Sequence, residues 1–176
     1  GGFVVQDYLS HFGDTGISGV ALVGTSITTG NYMPSVSRQT RLADTAVAAQ
    51  GMNSDDLSEN LEATIAFLGI CTAKPLPAKD LAAMTAINMA CPPAVRRASR
   101  GRSEDYREST ARVSKPITVV WGAHEKLALP AMIDECRACL PKAKFIEYAN
   151  SGHAPFWEEP DQFNADLTRL VTEARA

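Results

Sequence analysis

Two stretches decide the fold: residues 115–130, "KPITVVWGAHEKLALP", and residues 143–160, "AKFIEYANSGHAPFWEEP". "KPITVVWG" has strand character, and Pro116 stands at its beginning, where a missing backbone donor is tolerated. "PAMIDECRACL", residues 130–140, opens with proline, which suits the first position of a helix. "AKFIEYA" is a second short strand. Strands alternating with helices predict a parallel sheet with right-handed crossovers. In such a sheet chemistry sits beyond the carboxyl ends of the strands. Those ends carry His124 and Glu125 after one strand and His153 after the next. Adjacent parallel strands bring the two loops within reach, and a carboxylate beside an imidazole orients the ring as a general base requires.

From about Glu158 onward, Phe163, Leu167 and Leu170 share one face of a closing amphipathic helix. At the other end Val5, Leu9 and Phe12 form a helical stripe in residues 2–12, and "GDTG" breaks it. "ISGVALVGT", residues 17–25, is short and apolar on both faces, as a buried parallel strand should be. The pattern changes between 26 and 112. "SDDLSENLEATIAFLGI" offers Ser and Asp caps and then Leu57, Leu61, Ile65 and Leu68, a helix. "AKDLAAMTAINMAC" is a second helix, stopped by Pro92-Pro93, and "SEDYRESTARV" a third. Only three strands are available.

The chain has 176 residues, 45% hydrophobic and 21% charged, with a formal net charge of −3. That suffices for one domain with a real core. A slight acidity argues against binding nucleic acid or an anionic membrane in bulk, which normally shows as a clustered basic excess. The longest apolar runs, such as "GVALVG", fall far short of the roughly 18 residues that span a bilayer. No charged, then apolar, leader opens the sequence. Four cysteines and three histidines do not make a disulfide framework at this size, so a reducing, cytoplasmic setting is expected.

The stretches "KPITVVWGAHEKLALP" and "LPKAKFIEYANSGHAPFWEEPDQFNADLTRLV" resemble the C-terminal part of the α/β-hydrolase family, in the cap-bearing branch that includes carboxylesterases. By that resemblance His153 matches the triad histidine and Glu125 falls where the triad acid sits, a place more often held by aspartate. Residues 26–112 resemble the helical cap inserted after the sixth strand. "GGFVVQDYL" resembles the helix after the nucleophile elbow, with Gly1 and Gly2 matching the last glycines of G-x-S-x-G-(G). The resemblance implies a truncated α/β-hydrolase fold: about three parallel strands with flanking helices plus a helical cap insertion. The core is expected over 1–25 and 113–176 and the cap over 26–112. The elbow serine, the first five strands and half of the oxyanion hole are expected to be missing, which rules out a serine esterase mechanism from these residues alone.

Several expectations follow. A bare edge near Ile17–Val23 is an aggregation template unless covered, which predicts a homodimer or a separate chain carrying the missing strands. Without a side-chain nucleophile, hydrolysis must use water, and a metal lowers the pKa of water to about 7. His124, Glu125 and His153 are residue types that bind zinc or manganese, so the leading expectation is a metal-assisted hydrolase of activated carboxylic or phosphoric esters. Its rivals are half of a split serine esterase and a non-catalytic remnant. His153 and Glu125 remain open between holding their loop and acting as base, acid or ligand. His124 is read as a solvent-facing loop residue with the potential to be an extra ligand, and His11 as surface. Cys136 and Cys139 form a C-x-x-C, but they lie two turns into a helix beside Met132, Ile133 and Leu140, so core packing is expected. Cys71 and Cys91 are read as packing residues, Arg96, Arg97, Arg100 and Arg102 as a solvated cap surface, and Phe156 and Trp157 as core anchors.

Overall fold

The computed structural model describes residues 1–34, 48–99 and 101–175, so Arg100 lies outside the described residues. The chain runs through α1 (Gly2–Phe12), β1 (Val20–Val23), α2 (Leu57–Cys71), α3 (Ala78–Met89), α4 (Pro93–Ala98) and α5 (Arg107–Ala111). It continues through β2 (Ile117–Gly122), α6 (Pro130–Cys139), β3 (Lys144–Tyr148), α7 (Pro155–Glu158) and α8 (Pro160–Arg175). The three strands form one parallel sheet in the order β1-β2-β3. Val20 pairs with Ile117 and Val23 with Val120, while Thr118 pairs with Lys144 and Gly122 with Tyr148. All three strands therefore end at the same side of the sheet. Among the described residues β1 has no strand on its other edge.

The core forms where the sheet meets α1 and α6: Leu9, Leu22, Val119, Trp121, Met132, Ile133 and Cys136 make one buried cluster with Ile27 and Tyr106. Pro130 at the first turn of α6 needs no backbone partner there, and Met132, Ile133 and Cys136 follow on the buried face. Between β1 and β2 the outgoing and returning chains pair at a neck. Thr28 bridges Asp105, the Thr29 amide donates to the Glu104 carbonyl, and the Tyr106 amide donates to the Ile27 carbonyl. Beyond the neck α2 and α3 pack on each other. Among the described residues no helix is long and apolar enough to cross a membrane.

Four details depart from the expected pattern. Phe12 is 72% exposed, and Gln6 takes the buried place on α1, donating to the Ser26 carbonyl at 2.9 Å. On α2, Leu57, Leu61 and Ile65 face outward while Asn60, Thr64 and Leu68 are buried. The cause is a polar anchorage: Asn60 donates to the Met52 and Ser54 carbonyls, each at 3.0 Å, and accepts from Thr64. The Asp56 side chain caps the same helix at the Glu59 amide, 2.8 Å away. The third helix shrinks to Arg107–Ala111, and α4 forms behind Pro93. Phe156 and Trp157 are not core anchors. They are 52% and 44% exposed, because α7 is a single turn whose buried contacts come from Ala154 and Pro155.

Candidate active site

β2 and β3 deliver their loops side by side. After Gly122 the chain turns at once: the Ala123 amide donates to the Tyr148 carbonyl (2.9 Å) and the His124 amide to the Ser151 carbonyl (3.0 Å). Glu125 follows, with one oxygen, Oε1, accepting from the Leu127 amide at 2.7 Å. Its other oxygen, Oε2, lies 2.8 Å from His153 Nδ1. The Glu125 side chain is 4% exposed and that of His153 is 32% exposed. An ionised carboxylate only accepts, so Nδ1 carries the ring proton and Nε2 keeps a lone pair. Nε2, on the edge of the ring that would take a proton, has no hydrogen-bond partner among the described residues.

Three glycines make this arrangement possible. At the end of β1, Gly24 has φ 52°, and a Cβ there would stand 2.8 Å from His153 Nδ1. A Cβ on Gly122 would fall 2.0 Å from the Ser151 carbonyl oxygen. A Cβ on Gly152 would stand 3.0 Å from the Ala73 amide nitrogen. The histidine loop is thus seated against bare backbone on three sides.

Two further carboxylates hold the loop. Glu159 Oε2 accepts from Ser151 Oγ at 2.6 Å and from the Asn150 amide at 3.1 Å. The Ser151 hydroxyl, foremost, holds the Glu159 carboxyl below its ordinary range. A folded pKa below the unfolded one stabilises the fold above the ordinary glutamate value near 4.3 and ceases to do so as pH falls through the lowered value. Glu159→Gln is therefore expected to flatten the loss of stability on acidification below about pH 4.3, measured by thermal melts across pH. Glu158 accepts from the Gly152 amide and from the Ala73 amide, both at 2.7 Å. The His153 amide donates to the Cys71 carbonyl at 2.8 Å. Neither glutamate was singled out from the sequence, although both follow His153 within six residues; their role needs the turn of α7 to bring them back.

The other candidates sit elsewhere. The His124 side chain is exposed and takes no part in the hydrogen bond and ion pair that join Glu125 to His153. No group of three or more His, Cys, Asp or Glu side chains able to hold a metal ion occurs among the described residues. His11 is exposed and bonds its own helix at the Asp7 carbonyl. Arg97 is tied to Asp55 and the Asn53 carbonyl, Arg96 to the Asn88 carbonyl, and Arg102 to Asp7 and Glu104. Cys136 is fully buried in the core, and burial pushes its thiol up to about 12. Burial, then the Glu125 and Glu158 carboxylates, push Cys71 to about 12 as well. Iodoacetamide is expected to leave Cys136 unmodified in the folded chain and to label it after unfolding, read by mass spectrometry. A cavity of about 160 Å³ opens among Trp121, Glu125, Ala128, Ile133 and Arg137, but His153 does not line it.

Against known proteins, the sequence model of the alpha/beta hydrolase fold matches residues 1–160. The chain belongs to the α/β-hydrolase family. Among solved structures of this family, it superposes on a Burkholderia cenocepacia protein assigned as an aryl esterase with a TM-score of 0.83 and 26% identity, covering 99% of this chain and 61% of that one. The esterase RhEst1 from Rhodococcus sp. gives a TM-score of 0.84 at 23% identity, covering 98% of this chain and 62% of that one, a likeness of fold. A curated relative, the pimeloyl-[acyl-carrier protein] methyl ester esterase of Nitrosomonas europaea, is 29% identical over 62 residues, 35% of this chain and 25% of that protein. The chain spans about three fifths of the solved structures it resembles, and its curated match spans a quarter of the relative. As a member of the family, it carries three parallel strands with flanking helices, the expected partial hydrolase sheet.

Proposed function

We propose that this hydrolase chain is the acid–histidine and cap portion of a serine esterase acting on activated carboxylic esters. The observation that carries it is the 2.8 Å contact between His153 Nδ1 and Glu125 Oε2, with Nε2 left without a hydrogen-bond partner among the described residues. In this reading Nε2 takes the proton of a serine hydroxyl as its oxygen attacks the ester carbonyl. It then returns the proton to the departing alcohol, while Glu125 holds the ring and steadies its positive charge. The start of α1 supports the placement. Gly2 abuts Thr25, so close that a Cβ would meet its side chain at 2.5 Å, and Thr25 follows Gly24, which abuts the His153 ring. A serine ahead of Gly1, as the elbow pattern implies, lies in this reading at the same end of the sheet as Nε2.

The test is hydrolysis of p-nitrophenyl acetate by the chain alone and mixed with a chain bearing the first five strands and the elbow serine. Turnover on mixing, blocked by a fluorophosphonate and indifferent to chelator, is expected. Turnover by this chain alone that follows stoichiometric zinc or manganese and dies on chelation would overturn it, and would mean that His124 joins Glu125 and His153 around a metal. No turnover in either sample also overturns it. We propose the homodimer through Ile17–Val23 as the state of this chain in the absence of its partner, supported by the β1 edge left unpaired among the described residues, which the chain bearing the first five strands takes in its place. Sedimentation equilibrium at twice the chain mass is the expected result. A cytoplasmic setting belongs with it, supported by the free thiols of Cys71, Cys91, Cys136 and Cys139.

A further inference from the structure

We infer that Glu158 is a positioning residue whose single carboxylate fastens the end of cap helix α2 to the peptide that carries His153, so that the cap's seat and the ring's orientation are set together. The inference rests on His153 serving as the base. Two unrelated segments meet at this carboxylate. Oε2 accepts from the amide of Gly152, the residue directly before His153, and Oε1 accepts from the amide of Ala73, two residues past the end of α2. Both bonds measure 2.7 Å, short as charge-assisted bonds are.

The rest of the contact cannot do this alone. The His153 amide bonds the Cys71 carbonyl, and Gly152 lies against the backbone of Cys71 to Ala73. These fix the distance between the segments. A lone amide-to-carbonyl bond still permits rotation about its own axis, and the carboxylate, spanning both chains, removes that freedom. His153 stands one peptide from the clamp, and its Nδ1 must meet a Glu125 oxygen already fixed by the Leu127 amide. A small rotation of the 152–153 peptide carries Nδ1 out of hydrogen-bond range. Glutamine has one acceptor oxygen, so at position 158 it must turn an NH2 group toward one of the two backbone N–H groups, losing that bond and setting donor against donor.

The experiment reads the ring tautomer of His153 by long-range proton–nitrogen NMR on the full chain at mildly alkaline pH, where an imidazole is ordinarily neutral. Three histidines make assignment by substitution simple. In the parent chain Glu125 enforces the Nδ1–H form, the minor one for a free ring in water. In Glu158→Gln the balance is expected to reverse toward Nε2–H, while the exposed Glu62→Gln leaves it unchanged. Ala73→Pro removes only the cap-side donor, and Thr72, at φ −120° and ψ 152°, already has the backbone a residue before proline adopts. It is expected to shift the tautomer in the same direction by a smaller amount. A folded Glu158→Gln chain that keeps the Nδ1–H form overturns the inference, and an unmoved tautomer in folded Ala73→Pro overturns the link to the cap. A Glu158→Gln chain that fails to fold makes the residue scaffold and overturns its positioning role. Because the tautomer is read without substrate, an inactive chain with a shifting tautomer sinks the esterase proposal and leaves the clamp standing.

Discussion

Gly122→Ala is expected to lower stability by about 3 kcal/mol or more and to displace the histidine loop, because the added methyl has nowhere to go. Its Cβ would lie 2.0 Å from the Ser151 carbonyl oxygen and 2.2 Å from that of Gly152. Those are backbone atoms, not the yielding end of a long side chain. Moving them breaks the bonds that the Ala123 and His124 amides make across the loops, and it pulls on the Glu158 clamp. β2 cannot give way instead, since Gly122 is still paired with Tyr148 in the sheet. Urea unfolding followed by far-ultraviolet circular dichroism measures the loss. A midpoint equal to that of the parent chain would show that the loops do not approach as closely as described.

His153→Ala is expected to cut ester turnover by about 10⁴-fold or more in the assembly that supports it, with the fold intact. The ring is partly exposed, with its Nε2 unpartnered among the described residues, so its removal leaves no unfilled core. It does strand one oxygen of the nearly buried Glu125, which still accepts from the Leu127 amide through the other. The expected cost in stability is therefore modest, about 1–2 kcal/mol. The informative comparison is kcat against KM. A base that acts in the transition state lowers kcat and kcat/KM together, whereas a residue that only shapes the pocket raises KM. Unaltered kcat in the variant would remove His153 from the chemistry.

How far the sequence could be read depends on how local each cause is. β2, α6 and β3 were legible because a buried strand and a proline-opened helix announce themselves within a few residues. The meeting of the Glu125 and His153 loops followed from adjacent parallel strands, and the structure brings the two side chains to 2.8 Å. The buried face of α2 was not legible. Leu57, Leu61 and Ile65 promised an apolar contact, but Asn60 found two carbonyls in the turn before the helix and rotated the apolar stripe outward. Phe156 and Trp157 misled for a related reason: one turn of helix has too few positions to bury both its aromatic pair and the inward-facing Glu158. The seats at Gly24, Gly122 and Gly152 were invisible along the chain, because what makes each one glycine is a neighbour distant in sequence.

The neck at Thr28 and Asp105 has a consequence for how such chains diversify. The outgoing and returning segments touch where they leave the sheet, so the described residues between them form, in mechanical terms, an appendage held on that stalk and at a second point, where Cys71 and Ala73 meet the histidine loop. Its length and sequence can change without altering the spacing of β1 and β2, because the stalk's footprint on the core stays the same. The appendage can then be exchanged as a cassette. Any replacement must still return an amide to Glu158 and a carbonyl to the His153 amide.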